Sequence, residues 1–260
     1  MSENKKKPST LFKVVKWFVR LFYPKIEIVG IENMPDEPCI VVGNHTQMNG
    51  PIVGELYFPG KKLIWCVGDM LHIKDVPAYA FKDFWSEKPK YSQWFYRILS
   101  YIIAPISVFI MGNAQTIGVY HDSRILSTFK ATVAGLKEGA NIIIFPEHNK
   151  KYNNIVYEFT TGFVEVARLY YKKTGKELTF VPMYIAPKLK KTYLGKPIKF
   201  SAAALIEDEK NRITDYLMNE ITAMAGSLPL HTVVPYRNIP KKYYPSNILK
   251  GGEKYEEAGC

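Results

Sequence analysis

After Pro24 the chain alternates short, β-branched apolar runs with longer stretches of helical periodicity, and that alternation restricts the fold more than any other feature. The runs fall at residues 26–29, 39–42, 63–67, 106–110, 141–145, 178–184 and 193–200. They are apolar on both faces, as strands covered by helices on both sides must be. The clearest helical pattern is 123–137, with Ile125, Leu126, Phe129, Val133 and Leu136 on one face, Asp122 or Ser123 before it and Gly139 after it. A second runs from 162 to 172, and a third from 206 to 225 opens on Glu207, Asp208 and Glu209, which suit a helix N-terminus. The expectation is an α/β fold: one domain with a mostly parallel central sheet flanked by helices.

Three stretches stand apart from that plan. Residues 94–111 are apolar over about the length of a membrane span, but Arg97 and Pro105 interrupt them. They are read as a buried helix running into the core strand 106–110, with a first half able to line an apolar groove. From Ser227 the tail carries Pro229, Pro235, Pro240 and Pro245, so it is expected to be extended and draped over the domain, with disorder beyond Lys250. In residues 10–23, Leu11, Val14, Val15, Phe18, Leu21 and Phe22 recur at helical spacing, with Lys13, Lys16 and Arg20 on the opposite face. Such a helix suits a bilayer interface, and equally suits packing on the protein's own core. It is too short and too charged to span, and it lacks the features of a secretory signal. The predicted organisation is therefore a basic N-terminus with an amphipathic membrane-surface helix (1–24), an α/β domain (25–226) and a Pro-rich basic tail (227–260).

Charge sharpens the question of partners. The net charge is +11, concentrated in Lys5, Lys6, Lys7, Lys13, Lys16, Arg20 and Lys25 at one end and Arg237, Lys241, Lys242 and Lys250 at the other. Nucleic acid, anionic lipid and acidic small molecules all suit such a balance. No zinc-finger spacing, RNA-recognition signature or helix-turn-helix accompanies it, which argues against nucleic acid. Three cysteines without metal-knuckle spacing, and five histidines without a His-x-x-x-His pair, point to a reducing compartment and to no metal cofactor. Cytoplasm is the expected location.

Two places put reactive side chains directly after apolar strands. One is Asn44-His45, following Gly43 and preceding a helix opened by Pro51. The other is Phe145-Pro146-Glu147-His148-Asn149-Lys150-Lys151. Ligands in parallel α/β sheets bind beyond the carboxyl ends of the strands, so neighbouring strands would bring His45, Glu147, His148 and Lys150 into one crevice.

At these residues the chain resembles the glycerolipid acyltransferases typified by bacterial 1-acylglycerol-3-phosphate acyltransferase. Asn44-His45 is similar to the first family block, Phe145-Pro146-Glu147 to the third, and Val181-Pro182 to the fourth. The likeness covers about residues 10–225 and departs in three places. The family's aspartate, separated from the histidine by four residues, falls on Gly50. The arginine of the second block is missing, since Phe109-Ile110 leads into Met111-Gly112. The glycine after the third-block glutamate is His148.

The resemblance implies a glycerol-3-phosphate acyltransferase-like fold on which His45, with Asn44, removes a proton from a glycerolipid hydroxyl. That hydroxyl attacks a thioester of acyl-CoA or acyl-carrier protein, which serve as co-substrates with no further cofactor. Glu147, His148, Lys150, Lys151 and Arg124 become candidates for holding the acceptor. The setting it implies is peripheral, on an anionic membrane surface at the inner face of the cell membrane. Without the aspartate, Glu55, Glu147 or Asp69 would have to support the imidazolium, or Asn49 orient the ring. A lipid-binding relative without catalysis is the competing reading.

Overall fold

A computed structural model describes residues 8–86 and 88–248; Lys5, Lys6, Lys7 and the segment from Lys250 onward lie outside the described residues. Along the chain the elements are α1 (Thr10–Phe22), β1 (Glu27–Val29), β2 (Ile40–Gly43), α2 (Asn49–Leu56), β3 (Lys62–Val67), α3 (Val76–Ala80) and α4 (Gln93–Asn113). They continue as β4 (Thr116–Val119), α5 (Ile125–Lys137), β5 (Asn141–Ile144), β6 (Glu147–Lys151) and β7 (Tyr157–Phe159). The last are α6 (Glu165–Thr174), β8 (Thr179–Ala186), β9 (Lys191–Leu194), β10 (Ile198–Lys199) and α7 (Ile206–Gly226). By contact the described residues fall into two compact units, one of 8–24 with 63–131, the other of 25–62 with 132–248.

The second unit carries a mostly parallel sheet in the order β1-β9-β8-β2-β5. β2 lies parallel to both neighbours, with Val42 level with Ile144 on one side and Pro182 on the other. Every residue of β2 is buried, and so is most of β8, because helices cover the sheet. α7 packs on β8 through Ile213, Leu217 and Ile221, one face of a helix with 3.6-residue period. The run expected at 193–200 divides into β9 and β10, both antiparallel to β8. Gly195 lies at the break, where its N–H bonds the Pro182 carbonyl. Glu147 to Lys151, which follow the strand run at 141–145, form β6, half of a two-stranded hairpin with β7.

The tail packs closely on this unit. His231, Val233, Val234 and Asn247 are buried, and Thr232 pairs with Ser246. The Nδ1 of His231 bonds the Pro229 carbonyl at 2.8 Å and must donate, so Nε2 accepts from the Tyr184 hydroxyl, also at 2.8 Å. Asn247 completes the anchor: its amide donates to the Ala225 carbonyl at 2.9 Å and its oxygen accepts from the His231 N–H at 2.8 Å.

In the first unit β3 and β4 pair in parallel. The strand expected at 106–110 is helical: α4 continues through Pro105 for 21 residues. Pro105 forgoes one backbone bond, which a helix anchored on both sides of it tolerates. Nor is α4 a buried core helix. Only Ser100, Ala104 and Ser107 are buried, the second of them against Val76 and Ala80 of α3. α1 meets α4 where the Ser9 N–H bonds the Asn113 side chain at 2.9 Å and Phe12 packs edge-on against Phe109.

Candidate active site

The centre of the second unit's sheet builds the site. β2 and β5 are adjacent and in register, so the residues leaving their carboxyl ends emerge side by side. The first is Asn44, 1% exposed, and both ends of its side chain are engaged. Its amide donates to the Ile185 carbonyl at 3.1 Å and its oxygen accepts from the Ile185 N–H at 2.7 Å. Asn44 thereby clips the end of β2 to β8. Expected to act alongside His45, it supplies His45 with a fixed starting point.

Glu147 serves from the other side. One oxygen accepts from the main-chain N–H of His45 at 2.5 Å, the other from the N–H of Tyr157 at 2.7 Å. A buried carboxylate taking two main-chain donors is a brace. Expected to hold an acceptor, Glu147 has both oxygens committed to the protein, and neither is on the His45 ring. Burial pushes its carboxyl up to about 7, against the two hydrogen bonds, which favour the charged form.

The loop after His45 is conformationally costly. Thr46 and Gln47 both adopt left-handed backbone, with φ of 46° and 55°. For a β-branched residue such as Thr46 this is unfavourable by roughly 1–2 kcal/mol. The Thr46 hydroxyl is also buried without a hydrogen-bond partner. Several bonds hold the loop in place. The Gly50 N–H bonds the His45 carbonyl at 3.0 Å, and the Asn49 side chain donates to the Thr46 carbonyl at 2.9 Å. The Gln47 amide donates to the Arg237 carbonyl at 3.1 Å and to the Tyr244 hydroxyl at 2.9 Å. Asn49, a candidate for orienting the ring, bonds the main chain instead.

The His45 ring stands between two aromatic rings, edge-on to Phe145 at 5.4 Å and to Tyr236 at 5.8 Å. Its Nδ1 is buried and has no hydrogen-bond partner. Among the described residues no carboxylate bonds this ring. Burial lowers its pKa, while backbone at Gln47 and at His45 itself acts the other way. Burial therefore favours the neutral imidazole, which is the form a base requires. Nδ1 being buried, Nε2 is the nitrogen left for a substrate.

The remaining candidates lie on the hairpin or in the other unit. His148 and Lys150 both pair with Glu158, each at 3.2 Å, and Lys151 donates to Asn154 at 2.8 Å. Arg124 belongs to the first unit, where its fork grips Asp122 at 2.7–3.0 Å and its plane lies 4.2 Å over the Tyr120 ring. Sequence reasoning missed the tail's contribution. Tyr236 packs on both His45 and Tyr157, and the charge of Arg237 acts on the Tyr157 hydroxyl. The available signal was the apolar pair Val233-Val234 inside a Pro-rich tail, which marks a docked segment. Among the described residues no three His, Cys, Asp or Glu side chains cluster as metal ligands would.

No protein-family model matches the chain, and no curated protein matches it. Among solved structures, the crystal structure of the 1-acyl-sn-glycerophosphate (LPA) acyltransferase PlsC from Thermotoga maritima aligns with 84% of this chain and 81% of that one. The identity is 17% and the TM-score 0.46.

Proposed function

We propose that this chain is an O-acyltransferase that moves a fatty acyl group from acyl-CoA or acyl-carrier protein to a hydroxyl of a glycerolipid-type acceptor, in phospholipid synthesis. The observation that carries the reading is His45: an imidazole packed between Phe145 and Tyr236 at the carboxyl end of a central parallel strand, on a loop held from several directions. In this reading Nε2 takes the hydroxyl proton as the hydroxyl oxygen bonds to the thioester carbonyl carbon. The carbon–sulfur bond then breaks, and the departing thiolate recovers the proton from the imidazolium.

His45 works without a carboxylate on its ring. In serine hydrolases, disabling that partner lowers kcat by roughly 10⁴, so a slow base is the expectation. Asn44 and Glu147 act as positioning residues. His148, Lys150, Lys151 and Arg237 are the candidates for the acceptor's phosphate, with lysines acting as point charges where a bidentate arginine is missing. Arg124, engaged by Asp122, receives no role. The protein works on the cytoplasmic face of the cell membrane, with α1 in the anionic headgroup layer.

The test is transfer of label from acyl-CoA or acyl-carrier protein to lysophosphatidate by the purified chain. Transfer that disappears in His45→Ala supports the assignment, and undiminished transfer in that variant removes it. Lipid binding without turnover on any thioester would establish the non-catalytic reading instead.

A further inference from the structure

The first unit contains a helix built inside out. The stripe of α4 turned inward is small and weakly polar: Ser100 is 1% exposed and Ala104 2%, with Ser107 following one turn later. The opposite stripe, Trp94, Ile98, Ile102 and Ile106 at four-residue intervals with Tyr101 beside them, is open to the surroundings, Tyr101 at 71%. A helix on a water-soluble surface has the reverse arrangement. Residues 90–113 are also long and apolar enough to cross a membrane by length and composition. α1, joined to α4 through Ser9–Asn113 and Phe12–Phe109, turns Leu11, Val14, Phe18, Leu21 and Phe22 outward, Phe22 at 81% exposure. Contiguous apolar surface beyond a few hundred Å² is uncommon on soluble monomers and marks a protein or membrane contact.

We infer that α4 is the principal membrane-embedded element of this chain, lying in the interface of an anionic bilayer beside α1. Crossing the bilayer is disfavoured by its inner stripe, which packs against protein: Ala104 sits with Val76 and Ala80, and the Ser107 hydroxyl bonds the Met70 carbonyl at 3.4 Å. A helix so anchored presents one face to lipid, as an interfacial helix does. Charge selects lipid over a second copy. α1 carries Lys13, Lys16 and Arg20, and Arg97 is the one charged residue of α4. The α1 cations lie on the face opposite its apolar one, so a second copy docked on the apolar face brings them no opposite charge, whereas the headgroups of an anionic leaflet do. Trp94 and Tyr101 have the amphipathic rings found at headgroup depth. This extends the membrane setting proposed above, which assigned contact to α1 alone, and depends on that reading only for its purpose.

The experiment is flotation of the full-length protein with vesicles of phosphatidylcholine, or of equal parts phosphatidylcholine and phosphatidylglycerol. The protein should float with the mixed vesicles, and less with phosphatidylcholine alone or at high salt. Ile98→Glu combined with Ile102→Glu removes two exposed groups from the outer face, and binding should fall about tenfold or more. Leu126→Glu, at an exposed site on α5, should leave flotation unchanged, and circular dichroism checks that each variant is folded. Flotation of the double variant like the wild type would overturn the inference. So would a wild type that ignores vesicles but forms a dimer which the double variant dissolves. Acyl transfer to a detergent-dispersed acceptor is read separately, so a failed active-site reading and a failed docking surface are told apart.

Discussion

The carbonyl oxygen of His45 occupies the space that a side chain at position 50 would need. A Cβ added to Gly50 would stand 2.5 Å from that oxygen and 3.0 Å from the Phe145 ring, while the Gly50 N–H donates to the same oxygen at 3.0 Å. The glycine therefore belongs to the loop that aims His45, and an aspartate does not fit there without moving it. Gly50→Ala should cost about 1–3 kcal/mol in urea unfolding, as overpacking does, and Gly50→Asp more because its carboxylate would enter a buried site. Neither should raise kcat. A faster, undiminished Gly50→Asp would mean the loop readily admits a His–carboxylate pair.

Glu147 links stability to pH. Its pKa in the fold is about 7, above the ordinary 4.5, so the folded protein holds this proton more tightly than the unfolded chain. The stability it contributes is complete below pH 4.5 and declines as pH rises toward about 7. Glu147→Gln, with one acceptor in place of two, should lose about 1–3 kcal/mol at neutral pH through the stranded main-chain donor. It should also flatten the stability slope across that window. Equal slopes in wild type and variant, measured by denaturant unfolding at several pH values, would contradict this.

The sheet was legible because β2, β5 and β8 are short, β-branched and buried on both faces, and the site because reactive residues follow two of them. Other features depend on information that is not local. Pro105 reads as a breaker in any window, yet α4 runs through it because packing on α3 supports the helix. The Glu147 carboxylate looks like a ligand-binding group until the main-chain donors of His45 and Tyr157 are brought to it. Tyr236 lies 191 positions from His45, so its place at the ring depends on how the tail docks through His231 and Asn247.

The pH–rate profile should report the His45 ring. Burial disfavours the imidazolium, so the rise in kcat/KM that belongs to this ring should lie below 6.5, ahead of the Glu147 ionisation at about 7. Tyr236→Ala admits water to the ring and should move that midpoint upward, toward 6.5. Titration of the His45 ring protons by NMR checks the same shift without substrate. A midpoint that stays put or falls in Tyr236→Ala would separate the tail from the site.

Gln47 offers a measure of the strain stored beside the base. Its φ of 55° favours glycine, and its side chain holds the loop to the tail through Arg237 and Tyr244. Gln47→Ala and Gln47→Gly lose the same ties, but only glycine relieves the left-handed backbone. Gln47→Gly should therefore be the more stable of the two by about 1 kcal/mol, despite the greater chain entropy it carries when unfolded. Both should exchange the Gly50 amide hydrogen faster than wild type, because the tie that over-determines the loop has gone. On the proposed mechanism, in which this loop positions the base, both should lower kcat more than they raise KM. If alanine proved equal to glycine in stability, the loop would not be left-handed at Gln47 in solution. His45 would then be aimed by Asn44 and Glu147 alone.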